Sequence, residues 1–110
     1  MVNILLSAAA AEDIALQMSW YQLRADETVA ARYELALRET FLIIAQNPSL
    51  GRIMQFKAAE LEGIRRFPAS APFHWHLVFY RADDSAIHIE RVLHGVRDLP
   101  CRLVEPPGSD

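Results

Sequence analysis

The residues of this chain best suited to chemistry are histidines and arginines that lie among three strand-like runs in its C-terminal half. His74 and His76 belong to one run, and His88 belongs to the next. An imidazole with an ordinary pKa near ~6.5 suits proton transfer at neutral pH, so these side chains could be catalytic. They could instead bind a metal ion, or pair with Glu90 and water on a half-solvated sheet face.

The alternation of side chains along a strand decides which of these residues can meet. One face of the second run carries only apolar side chains, namely Phe73, Trp75, Leu77 and Phe79. We expect this face to lie beneath the helices, which places His74 and His76 on the opposite face. Pairing core residues across the last hairpin sets Leu77 opposite Ile89 and His76 opposite Glu90. This register predicts three histidines and a carboxylate on the face away from the helices.

The spacing of the histidines argues against a metal centre. Two imidazoles two positions apart on a strand diverge unless a third ligand draws them together. The single cysteine, Cys101, lies outside the three runs. We therefore predict no metal site and no other cofactor.

Arginines supply positive charge in the same region. Arg65 and Arg66 are adjacent in the first run, so their side chains point to opposite faces of the strand. Arg97 follows Gly95 just past the last run, and a glycine there would let the chain turn the Arg97 side chain back over the sheet. An ordinary salt bridge with Asp98 or Glu90 is the alternative for Arg97.

The N-terminal half must supply the scaffold that positions these residues. Ser7 is suited to cap a helix over residues 8–24. Apolar residues recur three and four positions apart on one face of this helix, namely Ala11, Ile14, Ala15, Met18 and Tyr21. A second apolar stripe consists of Leu16, Trp20 and Leu23. Both stripes could pack into a core, or the second could dock a helix of a partner protein.

The remaining pattern predicts a second helix and four strands. Asp26 can cap a helix over residues 27–46, which Asn47 and Pro48 end. The short connection makes the two helices an antiparallel hairpin. Residues 2–6, 63–68, 73–80 and 86–93 read as strands, and residues 49–62 as a loop. We predict one domain over residues 1–103 and a disordered tail over residues 104–110, where proline and glycine interrupt any periodicity.

Composition limits the size of the fold and indicates the cellular compartment of the protein. The chain has 110 residues, which suffice for a single core made of one helical layer on one sheet. One cysteine and no secretory signal pattern indicate a reducing cytoplasm. No apolar run approaches the ~20 residues that span a bilayer. The net charge of −3 does not attract a phosphate backbone over the whole molecule.

Several motifs together resemble the ParE/RelE family of toxins from bacterial toxin-antitoxin systems. The resemblance covers residues 3–100 and rests on the order and spacing of Asn47-Pro48, Gly51, residues 61–66, Leu77-Val78-Phe79-Tyr80-Arg81 and Arg91-Val92-Leu93-His94-Gly95-Val96-Arg97-Asp98. It implies an α+β fold in which the helical hairpin packs on one face of a mainly antiparallel four-stranded sheet, preceded by an N-terminal strand. It also implies an antitoxin partner, with Leu16, Trp20 and Leu23 as the stripe that an antitoxin helix would cover.

The two branches of this family imply different chemistry. RelE-like toxins cut mRNA on the ribosome, and for that activity the resemblance selects Arg65, His94 and Arg97 as catalytic residues. This chain departs from the nuclease pattern because it has no tyrosine after Tyr80. ParE-like toxins inhibit DNA gyrase without doing chemistry themselves. The residues expected to contact the target are Arg65, Arg66, His76, His88, Arg91 and Arg97.

The ParE-like branch resembles this chain more closely, through residues 63–66 and 91–94. We therefore expect a gyrase-directed toxin that forms a hetero-oligomer with a ParD-like antitoxin. A ribosome-dependent mRNA endoribonuclease is the alternative. A third hypothesis is a non-toxic member of the family that only binds its antitoxin and autoregulates their operon.

Overall fold

A computed structural model describes residues 2–95 and 103–108 of the chain. It contains two helices on one side of a five-stranded sheet. The elements in chain order are β1 (Asn3–Leu6), α1 (Ala8–Arg24), α2 (Glu27–Gln46), β2 (Arg52–Ile53), a 3₁₀ turn (Ala59–Leu61), β3 (Arg65–Pro68), β4 (His76–Ala82) and β5 (Ala86–His94). The predicted α+β class is confirmed, with one strand more than expected.

Both helices begin at the predicted caps. The Ser7 hydroxyl accepts a hydrogen bond from the Ala10 amide at 2.9 Å, and the Asp26 carboxylate accepts one from the Val29 amide at 3.0 Å. Each bond satisfies an amide in the first helical turn that has no partner within the helix. Helix α2 ends at Gln46, immediately before Asn47 and Pro48.

The sheet has the order β1-β5-β4-β3-β2. Strand β1 runs parallel to β5, and the other neighbours are antiparallel. The additional strand, β2, is only two residues long and lies within the segment predicted as a loop. Two residues are too few for an alternating pattern, so the sequence alone gave no indication of this pairing.

The sheet is buried on both faces, which corrects the predicted orientation of β4. Residues 76–80 are all buried. Val78 and Tyr80 face the helices, whereas Leu77 and Phe79 pack on the opposite face, hereafter the outer face. The outer-face core consists of Leu61, Ile64, Leu77, Phe79, Leu93 and Leu103. The prediction that Leu77 and Phe79 lie beneath the helices was therefore wrong, because a second apolar layer covers the outer face.

The predicted register of the β4–β5 hairpin was also wrong. Leu77 pairs with Leu93 instead of Ile89, and His76 pairs with His94 instead of Glu90. The pairing skips Glu90 between Phe79 and Tyr80, which marks a β-bulge. Before the bulge the partner of Leu77 shifts by four residues, and such an even shift again sets apolar side chains opposite one another. Core-to-core matching therefore could not select the register.

The C-terminal segment is described as far as Gly108. The Leu103 side chain is buried in the outer-face core, and Arg91 donates hydrogen bonds to the carbonyls of Leu103 and Glu105. The disordered tail over residues 104–110 remains a sequence-based prediction. Among the described residues, no helix is both long and apolar enough to cross a membrane.

Candidate functional site

His76 is a buried residue of the helix–sheet interface. Its Nε2 lies 2.8 Å from the Tyr21 hydroxyl of α1, and its ring centroid lies 4.8 Å from that of Tyr33. Burial, with a smaller contribution from His94, lowers the pKa of His76 from 6.5 to about 4. A neutral, enclosed imidazole cannot contact a separate target directly, so the prediction that His76 lies on an exposed sheet face was wrong.

The other histidines each have a different neighbour. His74 and His94 are both exposed. The His74 ring lies beside that of Trp75, and the ring centroids of His94 and His76 are 4.7 Å apart. His88 pairs with Asp83 at 2.9 Å near the β4–β5 turn. This pairing, together with nearby amides, holds the pKa of Asp83 below its usual range. The predicted cluster of His74, His76 and His88 is not formed, and no group of three potential metal ligands occurs within the described ranges.

Arg91 forms a buried ion pair with Asp13 of α1. The Arg91 Nε and Nη2 atoms donate to the two carboxylate oxygens of Asp13 at 2.8 and 2.9 Å. The Val92 amide donates to the same carboxylate at 3.1 Å. Hydrogen bonding to Asp13 raises the pKa of Arg91. Arg91 is 6% exposed, so its predicted role in contacting the target is corrected to one of joining α1, β5 and the C-terminal segment.

The pairing of Arg91 with Asp13 was not predicted from the sequence. The position of Asp13 is nevertheless informative, because Ala9, Asp13, Leu16, Trp20 and Leu23 follow a spacing of four and three along one helix face. A carboxylate on an otherwise apolar stripe requires a compensating charge when it is buried. That signal could have suggested an arginine partner for Asp13.

Arg65 and Tyr80 fix the loop that follows α2. The Arg65 Nη1 donates to the Gly51 carbonyl at 2.7 Å, and the Tyr80 hydroxyl donates to the Pro48 carbonyl at 2.8 Å. The Gly51 amide donates in turn to the Tyr80 hydroxyl at 2.8 Å. A Cβ atom at Gly51 would lie only 2.5 Å from that hydroxyl, so the close approach requires glycine.

Two of the residues predicted for catalysis, Arg65 and His94, do not converge. Arg65 pairs with Tyr80 of β4, whereas His94 pairs with His76. These positions lie four residues apart on β4, a separation of about 13 Å along the strand. Arg97, the third predicted member, lies outside the described residues.

Arg66 lies on the outer face of β3, opposite Phe79 of β4 and opposite Arg52 of the edge strand β2. Arg66 is half-buried and Arg52 is exposed. As predicted, the adjacent Arg65 points to the other face, toward Tyr80. Arg66 therefore contributes positive charge at the border of the outer-face core.

The apolar stripe of Leu16, Trp20 and Leu23 is exposed on α1. The exposed fractions are 47%, 51% and 84%, respectively. The Arg24 guanidinium carbon lies 6.0 Å from the Trp20 ring centroid, at the limit of a cation–π contact. By contrast, Ile14, Met18 and Tyr21 of the first stripe pack against the core. Exposed apolar side chains grouped on one helix face are typical of a protein-binding surface.

Comparisons with known proteins extend these observations. The chain matches the family model described as "ParE toxin of type II toxin-antitoxin system, parDE" over residues 4–99. No curated protein matches it. The solved "Chromosomal ParDE TA system from P. aeruginosa" has a chain with 16% identity and a TM-score of 0.69, covering 87% of this chain and 98% of that one.

Two further solved structures share the fold. A YoeB dimer from Staphylococcus aureus has 22% identity and a TM-score of 0.57, covering 86% of this chain and 98% of its own. YafQ from E. coli strain BL21(DE3) has 17% identity and a TM-score of 0.51, covering 91% of this chain and 98% of its own. At these identities the likeness concerns the fold alone.

Proposed function

Because the chain belongs to the ParE toxin family of type II toxin-antitoxin systems, we propose that it is a cytoplasmic toxin that inhibits DNA gyrase and is neutralised by a ParD-like antitoxin. The fold supplies two candidate surfaces for these partners. One is the exposed stripe of α1, and the other is formed by basic side chains of the sheet and its loops. The toxin itself acts only by binding, and gyrase carries out the reaction on DNA.

The observation that carries the proposal is the separation of Arg65 from His94. Cleavage of a phosphodiester requires proton transfer and charge stabilisation at the same phosphate. The two residues lie at opposite ends of the central strand, and Arg65 already donates to the Gly51 carbonyl. Between these two positions, on the helix-facing side of β4, lies Val78, an apolar side chain that is fully buried. This arrangement favours target binding over catalysis.

The antitoxin surface is the stripe of Leu16, Trp20 and Leu23. A partner helix laid along α1 would cover these side chains and remove a large apolar area from water. Leu23, the most exposed of the three at 84%, has the most area to bury. The antitoxin is therefore expected to have an amphipathic helix with a matching apolar face.

The gyrase surface is assigned to the predicted residues that remain accessible. Arg66 and His88 are partly exposed, and Arg97 stays a sequence-based candidate. Arg65 contributes indirectly, because it positions the carbonyls of Ser49 and Gly51 in the loop after α2. His76 and Arg91 are buried and are left out of this surface.

A ribosome-dependent mRNA endoribonuclease remains the second candidate, and the exposure of His94 at the end of β5 favours it. Expression in growing cells separates the hypotheses. A gyrase-directed toxin arrests growth, accumulates cleaved DNA and keeps both effects in His94→Ala. A nuclease loses its arrest in His94→Ala while antitoxin binding is retained. A chain that causes no arrest when expressed without antitoxin would be the non-toxic, antitoxin-binding member.

A further inference from the structure

The exposed stripe of α1 is the C-terminal half of a longer stripe. Ala9, Asp13, Leu16, Trp20 and Leu23 lie on one face of the helix at a spacing of four and three residues. Asp13 is buried, whereas Trp20 and Leu23 are at least half exposed. The change from covered to exposed occurs at Leu16.

The chain's own C-terminal segment lies over the N-terminal half of this stripe. Arg91, which holds Asp13, also donates from Nη1 to the Glu105 carbonyl at 2.6 Å and to the Leu103 carbonyl at 3.3 Å. Residues 106 and 107 line a groove of about 400 Å³ together with Ala9. A Cβ atom built on Gly108 would lie 3.5 Å from Leu16 Cδ1, an ordinary van der Waals distance.

The segment has an anchored part and a lightly held part. Leu103 is 7% exposed in the outer-face core, and the Glu105 carbonyl is bound by Arg91. Beyond this anchor, Pro106 and Gly108 are exposed. Consecutive prolines restrict the backbone, so the segment can keep its direction across α1 with few contacts of its own. Residues 106–108 can therefore leave α1 without disturbing the core.

We propose that residues 106–108 compete with the antitoxin helix for Leu16. The proposal rests on the proposed function, because it assumes that an apolar antitoxin helix binds the stripe of Leu16, Trp20 and Leu23. A helix that extends past Trp20 toward Asp13 meets the backbone of Gly108 at Leu16. The segment must move aside, and the apparent dissociation constant rises by the inverse of the fraction of molecules in which Leu16 is free.

Three chain lengths test the competition. The full chain, a variant that ends at Gly108 and a variant that ends at Glu105 are each titrated with purified cognate antitoxin by calorimetry. The variant that ends at Glu105 keeps Leu103 in place and offers Arg91 a terminal carboxylate, so its fold should be retained, which a thermal melt checks. We expect it to bind roughly three- to tenfold more tightly than the full chain. The variant that ends at Gly108 should bind like the full chain.

Substitution of Leu16 shows whether the gain passes through the proposed contact. In Leu16→Ala, shortening the chain to Glu105 should no longer change the affinity, because the shared side chain is gone. Equal affinities for all three chain lengths would overturn the competition, as would a gain that persists in Leu16→Ala. In either case antitoxin binding itself would stand. Failure of every variant to bind antitoxin would instead overturn the proposed function together with the inference.

A thiol probe tests the contact without any antitoxin. Leu16→Cys is introduced into a Cys101→Ser background, and its rate of reaction with a disulfide reagent is measured for each chain length. The variant that ends at Glu105 should react at least about twofold faster than the one that ends at Gly108, since reactivity follows access to the thiol. Equal rates would show that residues 106–108 do not cover position 16, and would refute the proposal.

Discussion

Replacing Asp13 by alanine should destabilise the protein severely, because the carboxylate accepts hydrogen bonds from three N–H groups. These are the Nε and Nη2 atoms of Arg91 and the amide of Val92. The side chains of Asp13 and Arg91 are only 6% and 7% exposed. Removal of Asp13 therefore takes away the carboxylate that Arg91 contacts through two N–H groups, in a site that water barely reaches.

The size of the effect follows from this burial. Breaking a buried ion pair by removing one partner costs about 3–5 kcal/mol, compared with a total stability of roughly 5–15 kcal/mol for a domain. At about 4 °C or more per kcal/mol for a domain near this size, the midpoint of thermal unfolding should fall by about 12 °C or more. Urea unfolding followed by circular dichroism measures the free energy directly.

A matched control and a double variant make the result interpretable. Glu12→Ala removes an exposed carboxylate from the adjacent position and should change the unfolding free energy by less than about 0.5 kcal/mol. Asp13→Leu combined with Arg91→Met should recover part of the stability lost in Asp13→Ala, since it removes both charges together. A loss below about 1 kcal/mol in Asp13→Ala would refute the structural role of Arg91 and return this arginine to the candidates for target contact.

Three further predictions concern pH, the loop after α2 and the antitoxin stripe. The lowered pKa of His76, about 4 against 6.5 when unfolded, means that the unfolded chain takes up its proton at higher pH. The free energy of unfolding should therefore fall by about 3 kcal/mol as the pH drops from 6.5 to 4, and urea titrations should show a smaller decline in His76→Phe. Gly51→Ala should lower the free energy of unfolding by about 1–3 kcal/mol, because the added methyl group overpacks against Tyr80. Ser49→Ala in the same loop should change it little. Equal effects of the two substitutions in denaturation would contradict the close contact. Leu23→Asp should weaken antitoxin binding at least about tenfold in calorimetry with unfolding unchanged, while the exposed off-stripe change Gln22→Asp should leave both as they are.

The helical half of the fold could be predicted because its signals are local. Ser7, Asp26 and Pro48 mark helix boundaries through the chemistry of single side chains, and the structure places the helices within those boundaries. The apolar periodicity also separated the packed stripe of α1 from the stripe that remains exposed. That the second stripe is unpacked, however, emerged only from the structure, since its pattern fits a core equally well.

The orientation and register of β4 could not be predicted, because they depend on segments distant in sequence. Leu77 and Phe79 turn away from the helices since Leu61, Ile64 and Leu103 cover the outer face. A strand buried on both faces gives no alternation from which to read its orientation.

The roles of His76 and Arg91 could not be predicted for the same reason. Because the face of β4 that points to the helices is the opposite of the one predicted, His76 contacts Tyr21 instead of lying on the outer face. Arg91 of β5 pairs with Asp13 of α1, a partner 78 positions away in sequence. The stripe on α1 indicates that Asp13 needs a cationic partner, but nothing local in the sequence identifies which residue pairs with Asp13 or with His76.

Treating DNA gyrase and mRNA-programmed ribosomes with the same toxin preparation tests most directly which of them the toxin acts on. We expect inhibition of supercoiling and accumulation of cleaved DNA on gyrase, both reversed by antitoxin, and no cleavage of mRNA on the ribosome. Cleavage of mRNA with gyrase unaffected would contradict the proposal that the toxin acts on gyrase, and would favour the nuclease.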